Sequence, residues 1–302
     1  MRNKIITIGI IVFILFGLTL TGCSRQAEKD NTPAKTSPPA VETETPKDPP
    51  APAVKPEQPS GEGSTTTTAP AATAPATKSY SWYFTRNSQH QTPFVNQDIS
   101  NLLSAHGAFY VLPNNNSRIY LTFDAGYEQG YTARILDTLK ANGVHAAFFI
   151  TGQYLRTQPD LAKRMKAEGN LVCNHTVNHP DCAKISSDSL KKEIKSLEEQ
   201  YLQVTGQEMD RYLRPPMGNY SESSLKTTQE LGYKTVFWSM AFNDWDPSNQ
   251  PGADYSYNHV INNIHPGAVI LLHAVSQSDT EALDRIIKDL QSQGYVFATF
   301  NQ

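Results

Sequence analysis

A chain of 302 residues is long enough for one α/β domain of barrel size or for two small domains. Its 26 Lys and Arg against 29 Asp and Glu leave a net charge of -3, which excludes the basic field of a nucleic-acid binder. Aromatic residues make up 10%, 14 of them Tyr, a usage compatible with a sugar-facing groove.

Arg2 and Lys4 form a short basic region ahead of an apolar run from Ile5 to Leu20. The run falls short of the ~20 residues that span a bilayer comfortably, and it ends in small residues. Leu20-Thr21-Gly22-Cys23 resembles a bacterial lipoprotein processing box with Cys23 as the lipidation site; an uncleaved anchor helix is the alternative. Either way residues 1–23 place the remainder outside the cell, tethered to the outer face of the membrane. Acyl chains on Cys23 would supply the multi-chain anchor that stable attachment requires. Residues 24–79 are dominated by Pro, Thr, Ala, Lys and Glu, with almost no side chain able to build a core, and read as a disordered stalk. Its coil-like reach is ~40 Å or more, enough to let a tethered domain search its surroundings.

Order begins at Tyr80, and residues 80–117 read as an irregular lead-in packing on the barrel-sized region after it. From residue 118 to 302 strands and helices alternate. Arg118 to Phe123 is a buried strand, Thr132 to Asn142 a helix closed by Gly143, and Ala146 to Ile150 the next strand. Pro159 opens a helix that ends before Gly169, and Leu171 to Cys173 is a third strand. A long helix from about Ser187 carries Leu190, Ile194, Leu197 and Tyr201 on one face. Then come a strand at Tyr212 to Arg214, a helix from Ser221 to Leu231, and strands at Thr235 to Trp238 and Ala268 to Leu272. A helix from about Thr280 to Gln293 and a strand from Tyr295 to Thr299 finish the chain. This alternation predicts an α/β fold with a parallel sheet, closed as a (β/α) barrel or left open as a doubly wound sheet. Cys173 and Cys182 read as small buried hydrophobes, with a disulfide or metal ligation as the alternatives.

In such a fold the site forms at the C-terminal ends of the strands, and the unusual polar residues lie there. Asp124 ends the first barrel strand, a costly position unless the carboxylate is paired or catalytic, and Arg214 is its expected partner. His175 and His179 stand four apart and would share a helical face, a spacing that suits a divalent metal, most often zinc. His273 follows four apolar residues, and Asp244 is placed to orient and charge it. The set contains a base with its charge partner, a metal pair, and an acid with its own carboxylate.

The order Thr-Phe-Asp, His-Thr-x-x-His, Arg-Pro-Pro-x-Gly, Asp-Trp and Leu-x-His resembles the NodB-like polysaccharide deacetylases, carbohydrate esterase family four. The likeness covers about Ile119 to Phe300. Trp82-Tyr83-Phe84-x-Arg86-Asn87 and Thr122-Phe123-Asp124-Ala125-Gly126-Tyr127-Glu128 look like the subgroup that deacetylates N-acetylmuramic acid on the route to muramic delta-lactam in spore cortex. The resemblance implies a distorted parallel barrel and hydrolysis of acetamides on peptidoglycan glycan strands by a monomer. It makes Asp124 the general base, His175 and His179 the metal ligands, Arg214 the group that tunes Asp124, and His273 the acid oriented by Asp244. It places the Met217 backbone N–H in an oxyanion hole and lines an acetyl pocket with Leu271 and Trp245. The wider family carries a second aspartate where this chain has Ala125; Glu128 is the candidate replacement ligand or sugar contact, or else a solvated loop carboxylate. A general N-acetylglucosamine or chitin deacetylase and a non-catalytic wall-binding module are the competing readings.

Overall fold

In the strand β2 (Arg118–Ala125) every residue from Ile119 to Ala125 is buried, as expected where helices cover one face of a parallel sheet and a packed interior the other. The computed structural model describes residues 78–113 and 117–302, so Cys23, the leader and the stalk up to residue 77 lie outside it. Ahead of β2 lie β1 (Ser79–Ser81) and the helix α1 (Gln97–Ala105); after it come α2 (Thr132–Ala141) and β3 (Ala147–Ile150). Next are α3 (Gly152–Thr157), α4 (Pro159–Ala167), β4 (Leu171–Asn174), α5 (Ser187–Thr205), β5 (Asp210–Leu213) and β6 (Asn219–Ser221). The chain ends with α6 (Glu222–Glu230), β7 (Lys234–Thr235), α7 (Ala253–Asn263), β8 (Val269–His273), α8 (Gln277–Ser292) and β9 (Val296–Phe297).

The main sheet is parallel, in the order β7-β5-β4-β3-β2-β8, with β9 pairing the start of β2. Residues alternate between two faces along each strand. Leu121, Phe123, Phe148, Ile150, Val172 and Ile270 face a core built with the helices. Tyr120, Phe149, Leu171, Cys173, Val236 and Val269 pack on one another inside the curl of the sheet. The curl is drawn shut by the segment after β7. Val236 donates its N–H to Leu213 O of β5 at 2.8 Å, and four residues later Met240 O accepts from Leu271 N of β8 at 2.9 Å. The architecture is therefore a distorted parallel barrel, not a doubly wound sheet.

Several expected elements differ in detail. The strand anticipated over Thr235 to Trp238 is regular only to Thr235, because its later residues leave β5 to reach β8. The final helix starts at Gln277, three residues early, since Ser276 caps it by accepting from Asp279 N. The lead-in is more ordered than its sequence suggests. β1 pairs antiparallel with β6, α1 is capped by Asn96, and Trp82 stacks on Phe237 with ring centroids 4.7 Å apart. Trp82 also donates Nε1–H to Trp238 O at 2.9 Å, so the lead-in seals the barrel where its sheet is least regular. The close approach needs Gly218, at φ 69°: a Cβ there would lie 2.9 Å from Trp238 and 3.0 Å from Trp82. α5 buries Leu190, Ile194, Leu197 and Tyr201, the face its periodicity predicts. Cys173 and Cys182 are both buried free thiols, not joined in a disulfide.

Candidate active site

Asp124 and His273 are register partners on the neighbouring strands β2 and β8, so the parallel pairing alone sets a carboxylate beside an imidazole at one end of the barrel. Both fall on the inward-facing alternation, two residues beyond Thr122 and Leu271 respectively. His175 follows β4 and donates its backbone N–H to Ile150 O of β3. Arg214 follows β5 and donates its own to Asn174 O at 3.1 Å. These four residues, with His179, Met217 and Trp245, gather at a cavity of about 870 Å³ that all but the buried Arg214 line.

Arg214 has no solvent exposure. Its Nη1 donates to Asp124 Oδ1 at 2.7 Å, its Nη2 to Thr122 Oγ1 at 2.9 Å, and its Cζ lies 4.1 Å from the Phe149 ring centre. Burial would raise the Asp124 carboxyl, but the charges of Arg214, His175 and His273 outweigh it and hold the group below the usual carboxylate range. Asp124 is thus ionised and its second oxygen, Oδ2, stands 3.5 Å from His175 Nε2. His273 donates Nδ1–H to Asp244 Oδ1 at 2.7 Å. Burial would lower His273, but Asp244 and then Asp124 raise it above its ordinary value, favouring the imidazolium. The pairings expected from sequence, Arg214 with Asp124 and Asp244 with His273, are both present.

His175 and His179 come together by a different route from the expected helical turn. Thr176 and His179 both have positive φ, 68° and 56°, so the segment is a strained loop. It nonetheless sets the two rings 4.9 Å apart between centroids. Burial pushes His175 down to about 4, and desolvation also lowers His179, so both are neutral at physiological pH. His175 donates Nδ1–H to Arg214 O at 2.8 Å, which fixes its tautomer and leaves the Nε2 lone pair on the cavity side with Asp124. Neutral imidazoles beside a carboxylate fit a divalent cation. Ala125 offers nothing to such an ion: it belongs to the outward alternation and is buried in the helix-side core. No set of three or more His, Cys, Asp and Glu suited to a metal occurs among the described residues.

Glu128, expected as a ligand or sugar contact, does not line the cavity. Its Oε1 accepts from Gly130 N at 2.6 Å and Thr132 N at 3.2 Å, and its Oε2 from the Thr132 hydroxyl. The side chain caps the N-terminus of α2. Leu271, Trp245 and Met217 do line the cavity, the last at φ 57° in the tight turn after Arg214. Sequence reasoning missed Asp279, which is 1% exposed and lies beside Asp244, Ser256 and Ser276. Burial and the neighbouring Asp244 charge push it well above the usual carboxylate range, favouring its neutral form. Its sequence signal was hidden, since Ser276-x-x-Asp279 reads as an ordinary helix cap.

Comparison with known proteins agrees with this geometry. A family model described as polysaccharide deacetylase matches residues 112–236. An uncharacterised 30.6 kDa protein of Geobacillus stearothermophilus is 49% identical over 220 residues, 73% of this chain and 83% of that one. The peptidoglycan-N-acetylmuramic acid deacetylase PdaA of Bacillus subtilis is 46% identical over 220 residues, 73% of this chain and 84% of its own length. The solved structure of Bacillus subtilis PdaA, described as a family 4 carbohydrate esterase, superposes with a TM-score of 0.72 at 45% identity, covering 74% of this chain and 96% of that one. The chain belongs to the polysaccharide deacetylase family, carbohydrate esterase family 4, whose deacetylases are metal-dependent.

Proposed function

We propose that this protein hydrolyses the acetamide of N-acetylmuramic acid in peptidoglycan glycan strands. The observation that carries the reading is the juxtaposition of Asp124 and His273 across one cavity, each fixed by its own buried partner, Arg214 and Asp244. Amide hydrolysis needs a base to take a proton from water and an acid to give one to the departing amine. Asp124 is placed to accept, because Arg214 holds it ionised while its Oδ2 stays free of any strong donor. His273 is placed to donate from Nε2, since Nδ1 is committed to Asp244. Met217 would present its backbone N–H to the developing oxyanion, and Leu271 with Trp245 would seat the acetyl methyl group. A divalent cation on His175 and His179, with zinc the natural choice for imidazole donors, would supply Lewis-acid polarisation and an acidified water.

The choice of muramic acid over glucosamine rests on the similarity to PdaA over most of both chains. The finer setting, delta-lactam formation in spore cortex, draws on the lead-in residues Trp82 to Asn87 and on Ala125. Attachment to the outer membrane face through Cys23 draws on the sequence around it alone. The test is product analysis: the full chain is incubated with peptide-stripped glycan, which is then digested, and free amine is assigned to each sugar. Free amine on muramic acid is expected. Free amine confined to glucosamine would replace this reading with the glucosamine deacetylase, and none at all would favour a wall-binding module.

A further inference from the structure

Few full charges line the cavity, and they are unevenly matched. Of Asp124 and Arg86, the acid is neutralised by the buried Arg214 behind it. His273 is paired with Asp244 at 2.7 Å. Arg86 is left over. It is exposed, and no carboxylate lies within 4.0 Å of it among the described residues. It also lines a smaller adjoining cavity of about 290 Å³ with Asn243 and Tyr255, so the guanidinium stands at the junction of the two spaces.

Arg86 is also held in place. Its Nη1 donates to His259 Nε2 at 2.8 Å. The His259 ring packs against Phe242 and Tyr255, with centroids 4.7 and 5.6 Å away. Burial and then the Arg86 charge push His259 down to about 4, so at neutral pH it accepts from the guanidinium without repelling it. One nitrogen is thereby anchored and the others remain free, a pre-organised fork of the kind that binds carboxylates in bidentate fashion.

N-acetylmuramic acid differs from N-acetylglucosamine by a lactyl ether on the ring carbon next to the one bearing the acetamide, and that ether ends in a carboxylate. A group that recognises it must therefore share the cavity with the hydrolytic residues. We propose that Arg86 is the specificity-determining residue that clamps the lactyl carboxylate of the substrate. The inference rests on the muramic acid reading above and adds how this chain tells that sugar from glucosamine.

The test compares acetate release from peptide-stripped glycan with release from the same glycan whose carboxylates have been converted to neutral methylamides. Wild-type protein is expected to lose tenfold or more in kcat/KM on the neutral glycan, mostly through KM. Arg86→Ala and Arg86→Gln are expected to lose the same factor on the charged glycan and to converge with wild type on the neutral one, with Arg86→Lys intermediate. Gln keeps a donor for His259, so both variants failing by an equal factor on both glycans would make Arg86 merely structural and overturn the clamp. Wild type that deacetylates muramic acid equally well in both glycans would overturn the clamp alone. Free amine found only on glucosamine in both would overturn the muramic acid reading and the clamp together.

Discussion

His273 and Asp244 are joined twice: the imidazole Nδ1–H donates to Oδ1 at 2.7 Å, and the His273 backbone N–H donates to Oδ2 at 2.7 Å. Each oxygen of the carboxylate accepts from His273, which fixes the ring tautomer and favours its charged form. Activity that needs His273 protonated is present below its raised pKa and falls as pH rises through that value. Asp244→Asn removes the charge that raises it. The alkaline limb of the kcat profile should move down by one pH unit or more, with kcat lowered about 10²- to 10³-fold. An alkaline limb unmoved in the variant would mean that another group supplies the proton.

Asp279 sits behind this pair as a neutral acid. Two buried carboxyls side by side cannot both ionise cheaply, and the one not bonded to His273 keeps the proton. Asp279→Asn preserves shape and neutrality and is expected to leave kcat within about threefold of wild type and the melting temperature nearly unchanged. Asp279→Ala empties a buried site beside Asp244 and should cost about 1–3 kcal/mol of stability. A large loss of activity in the Asn variant, with folding intact by circular dichroism, would show that Asp279 ionises during turnover.

Much of this site was legible in the sequence because strand parity is a strict rule. Thr122 and Asp124, Cys173 and His175, and Leu271 and His273 each lie two apart, so burial of the first member of a pair points the second inward at the strand end. The helices were legible where caps and periodicity agreed, as in α5. What failed was local and lacked a repeat. The loop joining His175 to His179 turns through two positive-φ residues that no helical pattern encodes. Glu128 is a loop carboxylate in sequence and a helix cap in space, which only the position of Thr132 decides. Arg86 lies in a segment without periodicity, and its place at the cavity depends on Trp82 docking onto Gly218 and Trp238 across the barrel.

The Arg214–Asp124 pair is buried on both sides, so its two halves are unequal to remove singly. Losing one partner strands the other charge, at a cost of about 3–5 kcal/mol. Arg214→Met should lower stability by that amount in urea titrations and let the Asp124 pKa rise, moving the acid limb of kcat/KM to higher pH. Asp124→Asn should abolish acetate release by 10³-fold or more while the cavity still binds glycan. Should Asp124→Asn retain activity, the base lies elsewhere.

His175 carries a prediction about acid and one about metal. Its folded-state pKa, about 4, is below the ordinary value near 6.5, so the folded protein refuses a proton that the unfolded chain accepts. Stability from this residue is therefore complete above about pH 6.5 and is lost as pH falls toward 4, by about 3 kcal/mol at the limit. His259, also held at about 4, adds a smaller loss in the same window because it is only half-buried. His175→Asn cannot titrate there, yet its amide can still donate to Arg214 O. Metal-free wild type should lose about 3 kcal/mol more between pH 7 and pH 4 than the variant in denaturant melts. The same imidazole must be neutral to hold a cation. Zinc added at about pH 7.5 should then raise the melting temperature of wild type and leave His175→Asn unmoved. Exhaustive chelation should abolish acetate release and added metal should restore it. Equal zinc stabilisation of both proteins would remove His175 from the metal site, because the ion would then be bound by residues the substitution does not touch.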